Sequence, residues 1–454
     1  MTRDHSQSPV VSARHPTLLR ARWRLGLGVV VVAILAAGFA ALFRVALAFV
    51  LHHVAGTTDV VSAMREAPRW VRLVCPAIGG LLAGGLGVMV ARSPGGSGVG
   101  DVMEAVVLGR VRLSLRVTLL KSAASWLAIV FGGSIGREGP LIQFGGASGK
   151  LVGDWLDLST DRTRLLIAAG TAAGFAAAYN TPFAAVLFVI EVVTGMVVLD
   201  AILPVLVATV VATAISRAVV GDGPIYGQRA FHLQSSWELL AFAGLGILAA
   251  LGAQVFMRLL TFGEHAFRQS GLKLPWRPAV GGVLAGAVVA WLPECAGNGY
   301  EPLNSLLDGA STVGFVVLLL LGKCFATTAS VSSGSPGGVF TPTLLIGGAI
   351  GVLYTHALSG VGVGDALGST GGYALVGMAA ATAATTHAPL MAAVMVFELS
   401  GDYAIALPLL LATAISTLIS RQLRRQSIYT AELMARGVGW EVTMEGRRVL
   451  RPRG

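Results

Sequence analysis

Gly133-Ser134-Ile135-Gly136-Arg137-Glu138-Gly139-Pro140 sets an adjacent cation and carboxylate between glycines at the mouth of an apolar segment. A charged side chain at bilayer depth costs roughly 2.5–3.5 kcal/mol on insertion scales, so Arg137 and Glu138 need a partner or a task there. The glycines leave backbone N–H groups uncovered at the start of the following helix, where the helix dipole adds partial positive charge, and this combination attracts anions. Irregular backbone at membrane depth is tolerated only where it is buried in protein or lines a wet cavity, which points to a pathway. Read in isolation, the same residues also fit an ordinary helix start, with Glu138 in the first turn favouring its own dipole.

The composition places this stretch in a membrane. Of 454 residues, 54% are hydrophobic and only 12% charged, against roughly 25% charged in soluble domains. The chain reads as an all-α, multi-pass protein of the cell membrane. Its formal net charge of +10 does not indicate nucleic acid, because the basic residues form no amphipathic face with interleaved aromatics. Arg3, Arg14, Arg20, Arg22 and Arg24 precede the first apolar run, and Arg421, Arg424, Arg425, Arg436, Arg447, Arg448, Arg451 and Arg453 follow the last. The positive-inside rule then puts both termini in the cytoplasm and makes the number of crossings even. Cys75, Cys295 and Cys324 lie in or beside apolar runs without ligand spacing, so neither disulfide nor zinc is implied. No cofactor is expected.

Along the chain, residues 1–22 form a polar cytoplasmic arm, 23–216 a first membrane repeat, 217–234 a linker, 235–423 a second repeat, and 424–454 a last short helix and tail. The first repeat contains spans at Leu25 to Phe43, with Arg44 on the far side, and at Val71 to Val90. A glycine-dense loop, Gly95 to Gly100, leads to a segment ending at Leu108, then Val117 to Phe131. Short helices follow at Pro140 to Trp155, Arg164 to Tyr179 and Pro182 to Val193, and Ala201 to Ile215 closes the half. Several fall below the roughly 20 residues a crossing needs. Broken helices of this kind bring helix ends to the midplane in transporters.

The second half repeats the first. Trp237 to Leu260, Pro278 to Trp291 and Val313 to Ser330 lead to a second glycine loop, Gly334 to Pro342, reading GSPGGVFTP. Asn180-Thr181-Pro182 opens a helix carrying Glu191, and His387-Ala388-Pro389 one carrying Glu398, the Glu nine residues after the Pro in each. From loop-closing to helix-opening proline the separations are 42 (140 to 182) and 47 (342 to 389). If each unit crosses an odd number of times, the second is inverted and the loops meet at the midplane from opposite sides.

These residues resemble the CLC family of chloride channels and proton-coupled chloride exchangers, along almost the whole chain. Gly96-Ser97-Gly98-Val99-Gly100 resembles the family's GSGIP, Gly136-Arg137-Glu138-Gly139-Pro140 matches GREGP, and Gly338-Val339-Phe340-Thr341-Pro342 matches GxFxP. Tyr429, in SIYTAELMARG, is similar to the family's inner-gate tyrosine. A desolvated halide needs positive potential without a cation that binds it too tightly, and helix N-termini supply that. The resemblance assigns the Ser97 hydroxyl, the amides of Val339 and Phe340 and the Tyr429 hydroxyl to a central chloride site, with Glu138 as outer gate and outer proton acceptor. Plainer readings stand beside these: Ser97 as a helix cap, Phe340 as packing, Tyr429 as an interfacial aromatic.

Two departures, and one further resemblance, bear on function. Exchangers usually place a glutamate after the position of Glu191; here it is Val192, which cannot titrate, so passive conduction is expected and proton-coupled antiport is the alternative. Glu191 is a substitute proton site or a structural partner of nearby amides. Gly100 stands where the family has proline, loosening the loop that holds Ser97, whose serine points to chloride and bromide. Lys121, inside an apolar run, resembles a buried basic residue of the family or snorkels to an interface. The resemblance further implies a homodimer with one pore per subunit, through the faces around residues 183–193, 201–215, 390–399 and 404–419, although apolar faces also meet lipid. The partners expected are chloride and similar anions, protons and lipid. A large cytoplasmic regulatory domain is not expected. An intramembrane enzyme lacks any recognisable nucleophile or HExxH-like constellation around Ser97 or His387. An organic-solute carrier of inverted-repeat type would lack the paired glycine loops.

Overall fold

The structure, a computed structural model, describes residues 15–90, 98–109, 113–221, 226–227, 231–309, 311–443 and 446–450. The first half runs α1 (His15–Ala55), α2 (Val60–Glu66), α3 (Arg69–Val90), α4 (Val99–Leu108), α5 (Leu115–Val130), α6 (Glu138–Trp155), α7 (Thr160–Tyr179), α8 (Pro182–Phe188) and α9 (Leu199–Val220). The second runs α10 (Glu238–Gln269), α11 (Trp276–Trp291), α12 (Tyr300–Leu307), α13 (Val313–Ser332), α14 (Phe340–Gly360), α15 (Thr370–Thr386), α16 (Pro389–Ser400) and α17 (Ala406–Leu423), and α18 (Ile428–Ala435) follows. Among the described residues, seven helical stretches are long and apolar enough to cross a membrane.

From α3 to α9 each helix has its counterpart in α11 to α17, and small residues set how the counterparts pack. In a bilayer, helices gain by close backbone approach rather than by leaving water, which favours small residues at four-residue spacing. A Cβ on Gly145 of α6 would lie 2.0 Å from the Gly170 carbonyl of α7, and one on Gly149 2.3 Å from that of Leu166. In the other half, Gly347 and Gly351 of α14 press equally on the carbonyls of Gly377 and Tyr373 in α15, at 2.3 and 2.1 Å. The halves join through α3 and α11, where Gly80 abuts the Pro278 carbonyl and Gly282 that of Pro76.

A second join is made by charge. Glu191 accepts from the amides of Leu390 (3.2 Å) and Met391 (2.7 Å) at the start of α16. Glu398 accepts from Phe183 (3.0 Å) and Ala184 (2.8 Å) at the start of α8. Each half thus caps a helix of the other with a carboxylate, meeting orphan N–H groups and the dipole together. Asn180 and His387, which precede the two prolines, both take the left-handed conformation.

Several elements differ from the sequence expectation. α1 extends well past both ends of Leu25 to Phe43, so Arg44 lies within the helix rather than beyond it; no proline interrupts the run and Gly56, at φ 71°, ends it. α2 is additional, started by Asp59, whose side chain accepts from the Ser62 amide at 2.7 Å. The helix expected over Pro182 to Val193 turns π-helical at Val189–Thr194, where the Thr194 hydroxyl donates to the Val189 carbonyl at 3.0 Å. α9 runs on to Val220, into the stretch read as linker. Residues 424–454 contain a short antiparallel hairpin, Gly439–Thr443 with Gly446–Leu450, besides α18.

Candidate anion pathway

Helices α6 and α14 begin at equivalent points, Glu138 and Phe340, and their glycine loops meet head to head. Gly136 and Gly338 form an antiparallel bridge, the Gly136 amide donating to the Gly338 carbonyl at 2.7 Å and the reverse bond measuring 2.8 Å. This pairing satisfies backbone groups that would be costly to leave bare in an apolar interior. Gly98, at φ 98° before α4, closes on the same point: a Cβ there would stand 3.7 Å from the Gly139 Cα. All three glycine motifs therefore converge, although Gly96 and Ser97 lie outside the described residues.

Glu138 is buried at this junction. Its Oε1 accepts from the amides of Phe340 at 2.8 Å and Thr341 at 3.3 Å, and its Oε2 accepts from the Thr341 hydroxyl at 3.1 Å. The Tyr179 hydroxyl lies 3.0 Å from that of Thr341, and since Thr341 donates to the carboxylate, Tyr179 donates to Thr341. A Cβ at Gly136 or at Gly338 would come within 2.2 Å of a Glu138 carboxylate oxygen. The bare backbone at both positions is what admits the carboxylate. It is an anion held by the N-terminus of α14, where dipole and free amides favour negative charge.

Tyr429 of α18 sets its ring edge-on to Phe188 with centroids 6.4 Å apart. Phe188 stacks on Phe175 at 4.7 Å, and Phe175 meets Phe340 edge-on at 5.7 Å. An aromatic wall thus runs from Tyr429 to the Phe340 ring beside the Glu138 site, while the Phe340 amide faces the carboxylate. Val339 is the residue before α14 and is partly buried. Arg137 is buried and lays its guanidinium 5.2 Å from the Tyr300 ring centroid, a cation–π contact rather than a contact with the Glu138 carboxylate. Val192 is buried in the π-helical turn, against which α4 packs.

Lys121 does not snorkel. Its ammonium faces Asp101 at 3.5 Å, and it lines a small cavity with Gly98, Gly139, Pro140, Gln143, Pro336 and Gly337. Val99 and Gly100 open α4 beside it, and Pro140 and Pro342 lie in the first turns of α6 and α14. Lys323 stands at the equivalent place in the second half, fully buried, donating to the carbonyls of Cys295 (3.2 Å) and Gly297 (2.8 Å). Sequence reasoning missed Tyr179, the last residue of an alanine-rich helix, and Asp101, a carboxylate in an apolar run that the cost of intramembrane charge would have flagged.

The profile of the family described as voltage gated chloride channel matches residues 79–421. A ClcB-like chloride channel protein of Ralstonia nicotianae is 38% identical over 378 residues, spanning 82% of this chain and 88% of its own length. The voltage-gated ClC-type chloride channel ClcB of Escherichia coli is 36% identical over 376 residues, 82% of this chain and 89% of its own. Among solved structures, a slow cyanobacterial chloride/proton antiporter superposes with a TM-score of 0.79 at 25% identity, covering 93% of this chain and 99% of its own.

Proposed function

We propose, from the premise that this chain belongs to the CLC family of chloride channels and chloride/proton antiporters, that it carries chloride passively along a pathway in each subunit gated by Glu138. The observation that carries the reading is the Glu138 carboxylate on the Phe340 and Thr341 amides. An ionised carboxylate there competes with chloride for the same donors. Protonation removes its charge, weakens its hold on the amides and lets the halide enter, so lower external pH opens the path. Ser97, Val339, Phe340 and Tyr429 are the proposed chloride contacts, with Tyr429 as inner gate. Val192 supports passive conduction, because valine offers no proton site on the inner side.

A second reading, proton-coupled exchange, is favoured by the likeness to the cyanobacterial antiporter. One liposome preparation tests both. Chloride efflux from wild-type protein is expected to rise as external pH falls and efflux through Glu138→Gln to be insensitive to pH; a retained pH dependence in the variant contradicts the gate. The reversal potential under opposed chloride and proton gradients is expected at the chloride equilibrium value, and a shift with the proton gradient establishes exchange instead. The proposed assembly is a homodimer with both termini in the cytoplasm, joined through α8, α9, α16 and α17, whose Phe183, Leu203, Leu390, Leu407 and Leu418 are exposed.

A further inference from the structure

Helix α18 carries Tyr429 and rests on a small apolar face, with Leu433 in the core and Ile428 and Tyr429 partly buried against it. It is eight residues long, and Leu433 is its one fully buried residue. Burying one leucine contributes only about 1.5–3 kcal/mol, and a helix this short has marginal stability by itself. An ionic tie adds to this hold. Arg436, which caps the end of α18, donates through Nη1 to Asp101 Oδ1 at 2.7 Å and pairs through Nη2 with Glu432 of that helix. The second Asp101 oxygen accepts from Gln143 Nε2 at 3.0 Å and faces Lys121 at 3.5 Å.

One buried carboxylate therefore gathers four elements: α4, which carries it two residues from its start; α5; α6, five residues past Glu138; and the end of α18. Gly100 belongs to the same assembly. A Cβ there would lie 3.3 Å from Glu432 Oε2 and 3.7 Å from Arg436 Nη2, so the absence of a side chain at position 100 leaves room for the Glu432–Arg436 pair against the start of α4.

We propose that the Asp101–Arg436–Glu432 cluster is a clamp that positions Tyr429 against the pathway, with Arg436 as its positioning residue and Gly100 as the gap that lets it close. The inference rests on the reading of Tyr429 as inner gate. A half-buried ion pair fixes geometry because parting it takes from Asp101 Oδ1 its Arg436 donor and leaves Gln143 and Lys121 at the other oxygen, whereas the aromatic contact to Phe188 alone tolerates sliding. Loosening the clamp lets the tyrosine swing and leaves the inner end open.

The test is chloride efflux from liposomes containing Tyr429→Ala, Arg436→Gln and the double variant, each first shown to be monodisperse in detergent. Arg436→Gln is expected to raise efflux several-fold toward the Tyr429→Ala level, the double variant to match Tyr429→Ala alone, and Arg436→Lys to restore part of the restraint. Effects of the two substitutions that multiply, or an Arg436→Gln efflux equal to wild type while Tyr429→Ala is altered, overturn the clamp. Wild-type efflux from Tyr429→Ala overturns the gate reading itself and the clamp with it. Should Arg436→Gln fail to fold, Gly100→Ala crowds the Glu432 carboxylate without removing a charge, and the same comparison in the Tyr429→Ala background decides the matter.

Discussion

At the scale of the residue, two missing side chains matter as much as the carboxylate they admit. Gly136 and Gly338 each leave the space that a Glu138 oxygen fills, so adding one methyl group should displace the gate by direct contact. Gly338→Ala is expected to push the carboxylate off the Phe340 amide. Chloride efflux at neutral external pH should rise toward that of Glu138→Gln, with no further rise when both changes are combined. Efflux that falls, or that adds to the Glu138→Gln effect, would show that the glycine serves only the backbone bridge. The Arg137–Glu138 pair between glycines in an apolar run drew attention to this carboxylate in the sequence. Its partners were not legible there, because Phe340 and Thr341 lie 202 and 203 residues away in sequence and only the pairing of two loops brings them within reach.

The elements show the same limit from another side. The recurrence of Pro and Glu nine residues apart exposed the repeat and the helices α8 and α16, yet each glutamate caps the helix of the opposite half rather than acting on its own. Reciprocity of that kind follows from inversion: antiparallel counterparts place the end of one beside the start of the other. The π-helical turn at Val189–Thr194 was invisible to a period count, since one widened turn in a short apolar helix leaves the pattern unchanged. If the caps hold the halves together, Glu398→Gln should lower stability by about 1.5–3 kcal/mol, the usual worth of hydrogen bonds to a charged group. Thermal unfolding followed by size exclusion in detergent reads this as a lower midpoint, and Glu191→Gln should lower it similarly. Unchanged midpoints for both would mean that glycine-mediated packing alone joins the repeats.

For the whole molecule, the repeat was readable because glycine loops, prolines and glutamates recur in order, and α3–α9 answer α11–α17 accordingly. What sequence could not separate is lipid-facing from subunit-facing surface, since both are apolar. The exposed leucines of α9 and α17 lead us to expect two subunits per particle, and photobleaching counts in liposomes giving one would contradict that assembly. The central claim is that chloride and the Glu138 carboxylate compete for one set of amides at the start of α14. Bromide-soaked crystals of the Glu138→Gln protein test it most directly by anomalous diffraction. The account predicts a bromide peak in contact with the Phe340 amide, weaker or missing there in the wild type; no bromide near that amide in the variant would contradict it.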